Sequence, residues 1–324
     1  MSNILELKKT IEQSNAFIVA SHIDPEGDAI GSSLAMYFAL KNLGKKVCVY
    51  NETGVPRILK FLPGSDIIVK EIDSVNEYDC IIVVDCGDLG RVGSLKNRLE
   101  KLKIVNIDHH GTNDYFGNLN YVNKDASAAG EIVYDILNEL GIPITYEIAI
   151  NLYTAIVVDT GSFRYASTTP KCFQIAAELL NKGVDPWLVS MNVYENYPYV
   201  RMKLLGEVLL TLTLHLDGKV AFLFLTQDML KRYSVTEDIT EGFVNFGRAI
   251  EGVEVSIIFK ETSNNSFKLS MRSKGKVDVS KIAKSLGGGG HKNAAGCKIN
   301  GSYEEVQKLV LEVLKEHAWY SFNK

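Results

Sequence analysis

Four short stretches of this 324-residue chain gather imidazole and carboxylate side chains in patterns able to hold a metal ion. The first is Ser21-His22-Ile23-Asp24-Pro25-Glu26-Gly27-Asp28, in which one histidine and three carboxylates fall within seven residues. Pro25 and Gly27 suit a tight turn that can aim His22, Glu26 and Asp28 at one point, with Asp24 as a turn residue or the partner of a ligand. The second is Asp85-Cys86-Gly87-Asp88, directly after the apolar run Cys80 to Val84. A carboxylate at the end of a buried strand is partly desolvated and needs a partner or a metal, so Asp85 is a better ligand than Asp88. The third, Asp108-His109-His110, closes the run Ile104 to Ile107 and reads as an imidazole ligand with a carboxylate fixing a ring. The fourth is Asp159, which follows Ala155-Ile156-Val157-Val158. Each has a plain alternative when taken singly: Asp28 as a helix cap, or Asp159 as a solvated acid ahead of the helix stop Gly161. Their recurrence at the ends of successive apolar runs favours one shared metal site.

Such side chains converge when several strands end at the same edge of a sheet. Phe17 to Ala20 reads as a strand, and Asp28 to Leu43 as a helix apolar nearly all round and closed by Gly44. Val47 to Tyr50, Cys80 to Val84 and Ile104 to Ile107 are short, continuous, β-branched runs of the kind buried in parallel sheets. Helical or irregular connections fall around Val55 to Leu62 and Val92 to Leu102. Helical spacing returns at Ala126 to Leu140 and Tyr146 to Val158, then at Pro170 to Leu180, Asp185 to Tyr194 and Val200 to Leu210. The first half is therefore expected to be α/β, a parallel sheet with helices on both faces. Beyond it, Asp217-Gly218 between two apolar runs signals a type I′ hairpin, and Val253 to Lys260 with Phe267 to Met271 a second antiparallel pair. Helices around Ile239 to Ala249, Val279 to Leu286 and Tyr303 to His317 complete a smaller α+β domain. The expected division is 1–195, a linker at 196–205 where Tyr197, Pro198 and Tyr199 interrupt the pattern, and 206–324.

Composition narrows the classes of function. A hydrophobic fraction of 46% and a charged fraction of 23% are those of a soluble globular protein. The net charge of −4 argues against binding long duplexes and leaves any nucleic-acid substrate to local cationic groups or metal. The five cysteines form no CxxC pair and no disulfide framework, which fits a reducing cytoplasm. The first residues lack an apolar signal core, and no stretch approaches the roughly 20 apolar residues needed to span a bilayer.

The order and rough spacing of His22, Glu26, Asp28, Asp85, Asp108-His109-His110 and Asp159 resemble the four motifs of the DHH phosphoesterases. That family includes RecJ-type exonucleases, family II inorganic pyrophosphatases and nanoRNase/pAp phosphatases. Gly287-Gly288-Gly289-Gly290-His291-Lys292-Asn293-Ala294-Ala295-Gly296 resembles the glycine-rich signature of the DHH-associated substrate domain. The resemblance runs from about Phe17 to the last helix, and the chain length is similar to that of the nanoRNase type. Where the family usually has Asp, this chain has Glu26, one methylene longer and still able to ligate.

The resemblance implies one metal held by His22, Glu26 and Asp85 and a second by Asp28, Asp85, His109 and Asp159, with Asp85 bridging. An oxygen-rich set with some imidazole suits two Mn²⁺ ions, with Mg²⁺ or Co²⁺ as substitutes. Two ions sharing a water would generate hydroxide for in-line attack on phosphorus. His110 is implied to face the scissile phosphate, with Asp108 orienting it or His109. In the second domain, consecutive glycine N–H groups at Gly288, Gly289 and Gly290 can form an anion nest, adjoined by His291, Lys292 and Arg272; a flexible loop is the plain alternative. The expected activity is hydrolysis of short single-stranded oligoribonucleotides to mononucleotides, extending to pAp. Alternatives are a cyclic or linear dinucleotide (c-di-AMP or pApA) phosphodiesterase and, in another class, a non-catalytic nucleotide sensor. Pyrophosphatase activity fits the glycine-rich signature less well. A homodimer and a cytoplasmic location complete the expectation.

Overall fold

The computed structural model describes residues 2–99, 102–263 and 265–322, which divide into two compact units, Met1–Asn196 and Tyr197–Lys324. In the first unit the elements run α1 (Ser2–Gln13), β1 (Ala16–Ala20), α2 (Gly27–Asn42), β2 (Lys46–Tyr50), β3 (Ile68–Val69), β4 (Cys80–Val84), β5 (Lys103–Asp108) and β6 (Leu119–Val122). Four helices follow: α3 (Ala129–Glu139), α4 (Tyr146–Asp159), α5 (Pro170–Asn181) and α6 (Pro186–Tyr194). The strands form one parallel sheet in the order β3-β2-β1-β4-β5-β6. Every residue of β1 and β4 is buried, which is why both read as unbroken apolar runs rather than alternating ones.

Side chains alternate across that sheet. Phe17, Val19, Ile82 and Val84 face a core shared with buried residues of α1, α2, α3 and α4, whereas Ile18, Ala20, Ile81 and Val83 face Val92, Leu95 and Leu99. The second face is thus covered by 3₁₀ turns over Leu89–Arg98 and short connections, which corrects the expectation of helices on both faces. Gly93, at φ 81° and ψ −149°, breaks any longer helix there. α2 and α4 are buried on nearly all sides and pack closely on one another. Gly31 makes that approach feasible: a Cβ at this position would stand 2.4 Å from the carbonyl oxygen of Asn151.

The second unit contains α7 (Tyr199–Leu210), β7 (Thr213–His215), β8 (Val220–Leu225), α8 (Gln227–Tyr233), α9 (Val244–Arg248), β9 (Val255–Ser263), β10 (Ser266–Ser273), α10 (Val279–Ser285), β11 (Gly289–His291), β12 (Ala294–Asn300) and α11 (Tyr303–Phe322). Its sheet runs β11-β12-β10-β9-β8-β7 and is antiparallel except between β8 and β9. α10 and α11 cover one face, and α7, α8 and α9 the other. Leu216, Asp217 and Gly218 all have positive φ, and Lys219 N–H donates to Leu216 O at 3.0 Å, closing a four-residue hairpin loop where the Asp-Gly pair signalled a turn. Two local expectations are corrected. The single helix expected at Ile239 to Ala249 is split, because Gly242 at φ 79° separates a 3₁₀ turn from α9. Residues 196–205, expected as linker, run mostly into α7, whose Leu204, Leu205 and Val208 are buried in the second unit. Among the described residues no helix is long and apolar enough to cross a membrane.

Candidate metal centre

The sheet order reverses beside β1, whose neighbours are β2 on one side and β4 on the other, and side chains beyond the carboxyl ends of such strands line a crevice. His22 follows β1, Asp85 follows β4 and Asp108 closes β5. Two helices supply the rest, Asp28 from the first turn of α2 and Asp159 from the last residue of α4.

Asp85 is the hub. Its Oδ2 lies 3.5 Å from His22 Nε2, and its Oδ1 lies 3.5 Å from His109 Nε2 and 3.7 Å from His110 Nδ1. The backbone reaches this position through a left-handed conformation at φ 51°, unusual for a residue with a side chain, and Asp85 N–H donates to Ile107 O at 2.9 Å. His109 Nε2 faces two further carboxylates, Asp28 Oδ2 at 3.7 Å and Asp159 Oδ2 at 3.6 Å. Ligand atoms of Asp28, His109 and Asp159, and separately of Asp85, His109 and His110, lie within 4.8 Å of one another.

Surrounding bonds prepare these groups as ligands. His22 Nδ1 lies 2.7 Å from Ile23 O, and His109 Nδ1 lies 3.4 Å from Ala126 O. Donation from each Nδ1–H to its carbonyl leaves both Nε2 lone pairs turned inward. Asp28 accepts from the first N–H groups of α3, Ala129 at 2.6 Å and Gly130 at 2.9 Å, and from Ser32 Oγ at 2.8 Å. Helix N-termini favour a carboxylate in that position.

Charge is unevenly balanced within the cluster. Burial pushes Asp28 up to about 7, reinforced by the charge of Asp85. Burial likewise raises Asp159, with the charges of Asp28, Asp85 and Glu26 adding to it. Burial also favours the neutral form of Asp85, but its bonds to His109 and His22 prevail and hold it below its ordinary value. His109 would be neutral by burial alone, yet Asp85, Asp28 and Asp159 raise it to about 11. Converging carboxylates that resist joint ionisation, beside imidazoles whose Nε2 atoms face them, suit a divalent cation.

His110 has a different partner. Its Nδ1 is 2.6 Å from Asp108 Oδ1, which decides that Asp108 orients His110 rather than His109. Asp108 is fully buried; burial raises its carboxyl, but the bond to His110 outweighs this and the net shift is downward.

Other expected residues lie outside these two groups. Glu26 occupies the N-cap of α2 with an exposed side chain; it belongs to neither of the two tight groups, although its charge is felt at Asp159. Asp24 is an exposed turn residue at φ 54° whose N–H donates to Thr53 Oγ1 at 2.9 Å. In the second unit the glycine run forms no open nest of consecutive donors. Gly287 and Gly288 N–H cap α10 by donating to Lys284 O and Ala283 O, and Gly289, Gly290 and His291 pair with β12 as an edge strand. Gly288 is needed for close approach, since a Cβ there would lie 2.1 Å from Gly296 O. Arg272 ends the neighbouring β10 register opposite Ala294, with Nη1 donating to Met271 O at 3.0 Å. The side chain of His291 lies outside the described residues.

Three polar residues escaped the sequence reading. Asn113 Nδ2 donates to Asp108 Oδ2 at 2.6 Å and to Asn106 Oδ1 at 2.8 Å. Asn106 Nδ2 donates in turn to Cys86 O at 3.0 Å, tying the ends of β4 and β5 together. Arg91 Nη2 lies 3.2 Å from His22 Nδ1. Only Asn106 carried a signal, an amide inside an otherwise apolar strand.

The chain is similar to known proteins over nearly its whole length. The DHH family, N-terminal domain, matches residues 16–156, and the DHHA1 domain matches residues 217–318. The chain is 36% identical over 317 residues to the bifunctional oligoribonuclease and PAP phosphatase NrnA of Thermus thermophilus, covering 98% of this chain and 94% of that one. It is 29% identical to the protein of the same name from Bacillus subtilis, covering 96% and 99%. Among solved structures, an exopolyphosphatase-related protein from Bacteroides fragilis superposes with a TM-score of 0.93 at 30% identity, covering 99% and 97%.

Proposed function

Because this chain belongs to the DHH family and is a metal-dependent phosphoesterase, we propose that it hydrolyses short oligoribonucleotides to mononucleotides and removes the 3′-phosphate of pAp. One observation carries the reading: a single buried carboxylate, Asp85, stands within 3.5–3.7 Å of three imidazoles contributed by two other strand ends. That arrangement serves phosphoryl chemistry, in which catalysis is largely positioning and charge neutralisation.

In this reading His22 and Asp85, with Glu26, hold one Mn²⁺, and Asp28, Asp85, His109 and Asp159 hold a second. Two such ions would lower the pKa of a water between them and neutralise charge on the phosphoryl oxygens. Asp28 is kept in place by the N–H groups of α3, so its oxygens need no rearrangement on binding. His110, held through Nδ1 by Asp108, presents its other ring edge to the phosphate as charge stabiliser or as proton donor to the leaving oxygen. In the second unit Arg272 and the glycine-rich edge of Gly288, Gly289, Gly290 and His291 bind the substrate, and the units Met1–Asn196 and Tyr197–Lys324 act as catalytic and substrate-binding domains.

The test is turnover by the Mn²⁺-supplemented protein on 5′-phosphorylated di- to pentaribonucleotides, a 24-mer, pAp, pApA, c-di-AMP and pyrophosphate. Fast mononucleotide release from the short chains, with the 24-mer spared, is the expected result. Preference for c-di-AMP would move the protein to second-messenger turnover. Inactivity on every compound would overturn the enzymatic reading in favour of a sensor.

A further inference from the structure

We propose that Arg91 is a substrate-binding residue, gripping a phosphate oxygen at the rim of the metal centre. It stands on the Leu89–Arg98 segment that leads away from Asp85, and buried Val92 and Leu95 pin that segment to the sheet. Its backbone is tied to the first motif: Ile23 N–H donates to Arg91 O at 2.7 Å, and Arg91 N–H donates to Asp88 O at 3.0 Å. The backbone is therefore fixed while the side chain remains exposed.

The guanidinium faces a ring nitrogen that Ile23 O also claims. Nη2 is 3.2 Å from His22 Nδ1, but that nitrogen is also 2.7 Å from Ile23 O. When His22 Nε2 acts as a ligand, the ring proton sits on Nδ1 and is donated to Ile23 O, so the arginine N–H meets another donor instead of a lone pair. Among the described residues Arg91 forms no ion pair. A planar cation with unused donors, anchored at the edge of a cluster whose ligands are mostly carboxylates, lacks only an anion. Phosphate oxygens match its fork geometry, and a bidentate guanidinium–phosphate contact adds orientation as well as affinity. The ligand follows from the phosphoesterase reading above, on which this inference rests.

The competing role is mechanical, with Arg91 merely steadying the His22 ring. Removing a ring support would weaken the metal site; removing a phosphate contact would not. Calorimetry on wild type, Arg91→Ala and Arg91→Lys separates the two, with Mn²⁺ titrated into metal-free protein and AMP into Mn²⁺-loaded protein. The expected result is Mn²⁺ affinity unchanged within about twofold, AMP affinity lowered about tenfold or more in Arg91→Ala, and partial recovery in Arg91→Lys. On any substrate that the wild type hydrolyses, KM should rise by a similar factor. Unchanged AMP affinity in Arg91→Ala, or a loss of Mn²⁺ affinity as large as the loss of AMP affinity, would overturn the proposal. AMP binding needs no turnover, so a wild type inactive on short oligoribonucleotides would defeat the functional reading while leaving the role of Arg91 to be decided by these affinities.

Discussion

Asp108 divides its two oxygens between two partners, Oδ1 at 2.6 Å from His110 Nδ1 and Oδ2 at 2.6 Å from Asn113 Nδ2. The amide of Asn113 is itself locked, because its Oδ1 accepts from Tyr115 N–H at 2.6 Å and its Nδ2 also reaches Asn106 Oδ1. Asp108 therefore cannot rotate away from His110, and the ring is fixed in one tautomer with the proton on Nδ1.

That relay predicts a graded response. Asp108→Asn removes the anionic acceptor: with its one amide oxygen turned to Asn113 Nδ2, its NH2 meets His110 Nδ1–H, and kcat should fall by about 10²- to 10⁴-fold, the usual span for a disabled proton-transfer group. Asn113→Ala leaves Asp108 in place but frees it to turn, and a loss of about 10- to 100-fold is expected. Neither residue is among the proposed metal ligands, so Mn²⁺ titration should give affinities close to wild type. A variant that loses metal as well as rate would assign the relay to the metal instead of to His110.

Asp85 is predicted to be indispensable for a different reason. Among the described residues it is the one carboxylate facing His22, His109 and His110 together, and its replacement leaves no shared anion between the two proposed ion positions. Asp85→Ala should abolish turnover and Mn²⁺ binding while far-ultraviolet circular dichroism stays that of the wild type. Measurable turnover by this variant would refute its bridging role.

The charge imbalance of the cluster makes metal binding and stability depend on pH. Asp28 is raised from 3.8 to about 7, so the metal-free fold binds its proton more tightly than the unfolded chain does, and that contribution is lost as pH rises through about 7. His109 is raised from 6.5 to about 11, so its contribution is complete below about 6.5 and is lost as pH climbs toward about 11. Both effects have the same sign above pH 5. Asp85, which is lowered, acts only in acid, below its ordinary 3.8. Chelator-stripped protein should therefore show a falling Tm between pH 6 and 9. Saturating Mn²⁺ should restore more Tm at pH 8 than at pH 6, and calorimetry in buffers of different ionisation enthalpy should detect protons released on binding. A stripped Tm that rises over this range would contradict the proton assignments.

Much of this was legible from residue order because the strands that carry the site are buried on both faces. Such strands spell themselves out as Phe17 to Ala20 and Cys80 to Val84, and the polar residue that follows each one stands out against them. Membership of the DHH family followed from the same residues. Pairings between polar groups were less accessible: sequence leaves open whether Asp108 serves His109 or His110, and the answer lies in ring orientation. Glycines misled where their role is close packing. The run at Gly287 to Gly290 carries the composition of an anion nest, yet it caps α10 and joins an edge strand. Arg91 and Asn113 lie in irregular segments with no periodicity, so only their contacts reveal them.

The last prediction concerns the spacing between Asp28 and Asp159, which sit on the two helices that cross at Gly31. The position has no room for a side chain, with Asn151 O 2.4 Å and Ala155 Cβ 3.1 Å from where a Cβ would stand. Both obstacles belong to α4, and one is backbone, so relief requires the helices to separate. Overpacking a well-filled core costs about 1–3 kcal/mol. The helix propensity of alanine works in the opposite direction by about 1 kcal/mol, so Gly31→Ala should destabilise the protein by up to about 2 kcal/mol. Because α2 carries Asp28 and α4 carries Asp159, the same separation should weaken Mn²⁺ binding, and added Mn²⁺ should recover less Tm than it does in wild type. Gly44→Ala is the control, since nothing lies within 4 Å of its would-be Cβ and Gly44 is far along the chain from the ligands. It should show only the strain of φ 74° and no change in Mn²⁺ affinity. Equal effects of the two substitutions on Mn²⁺ binding would show that the crossing at Gly31 does not set the ligand spacing.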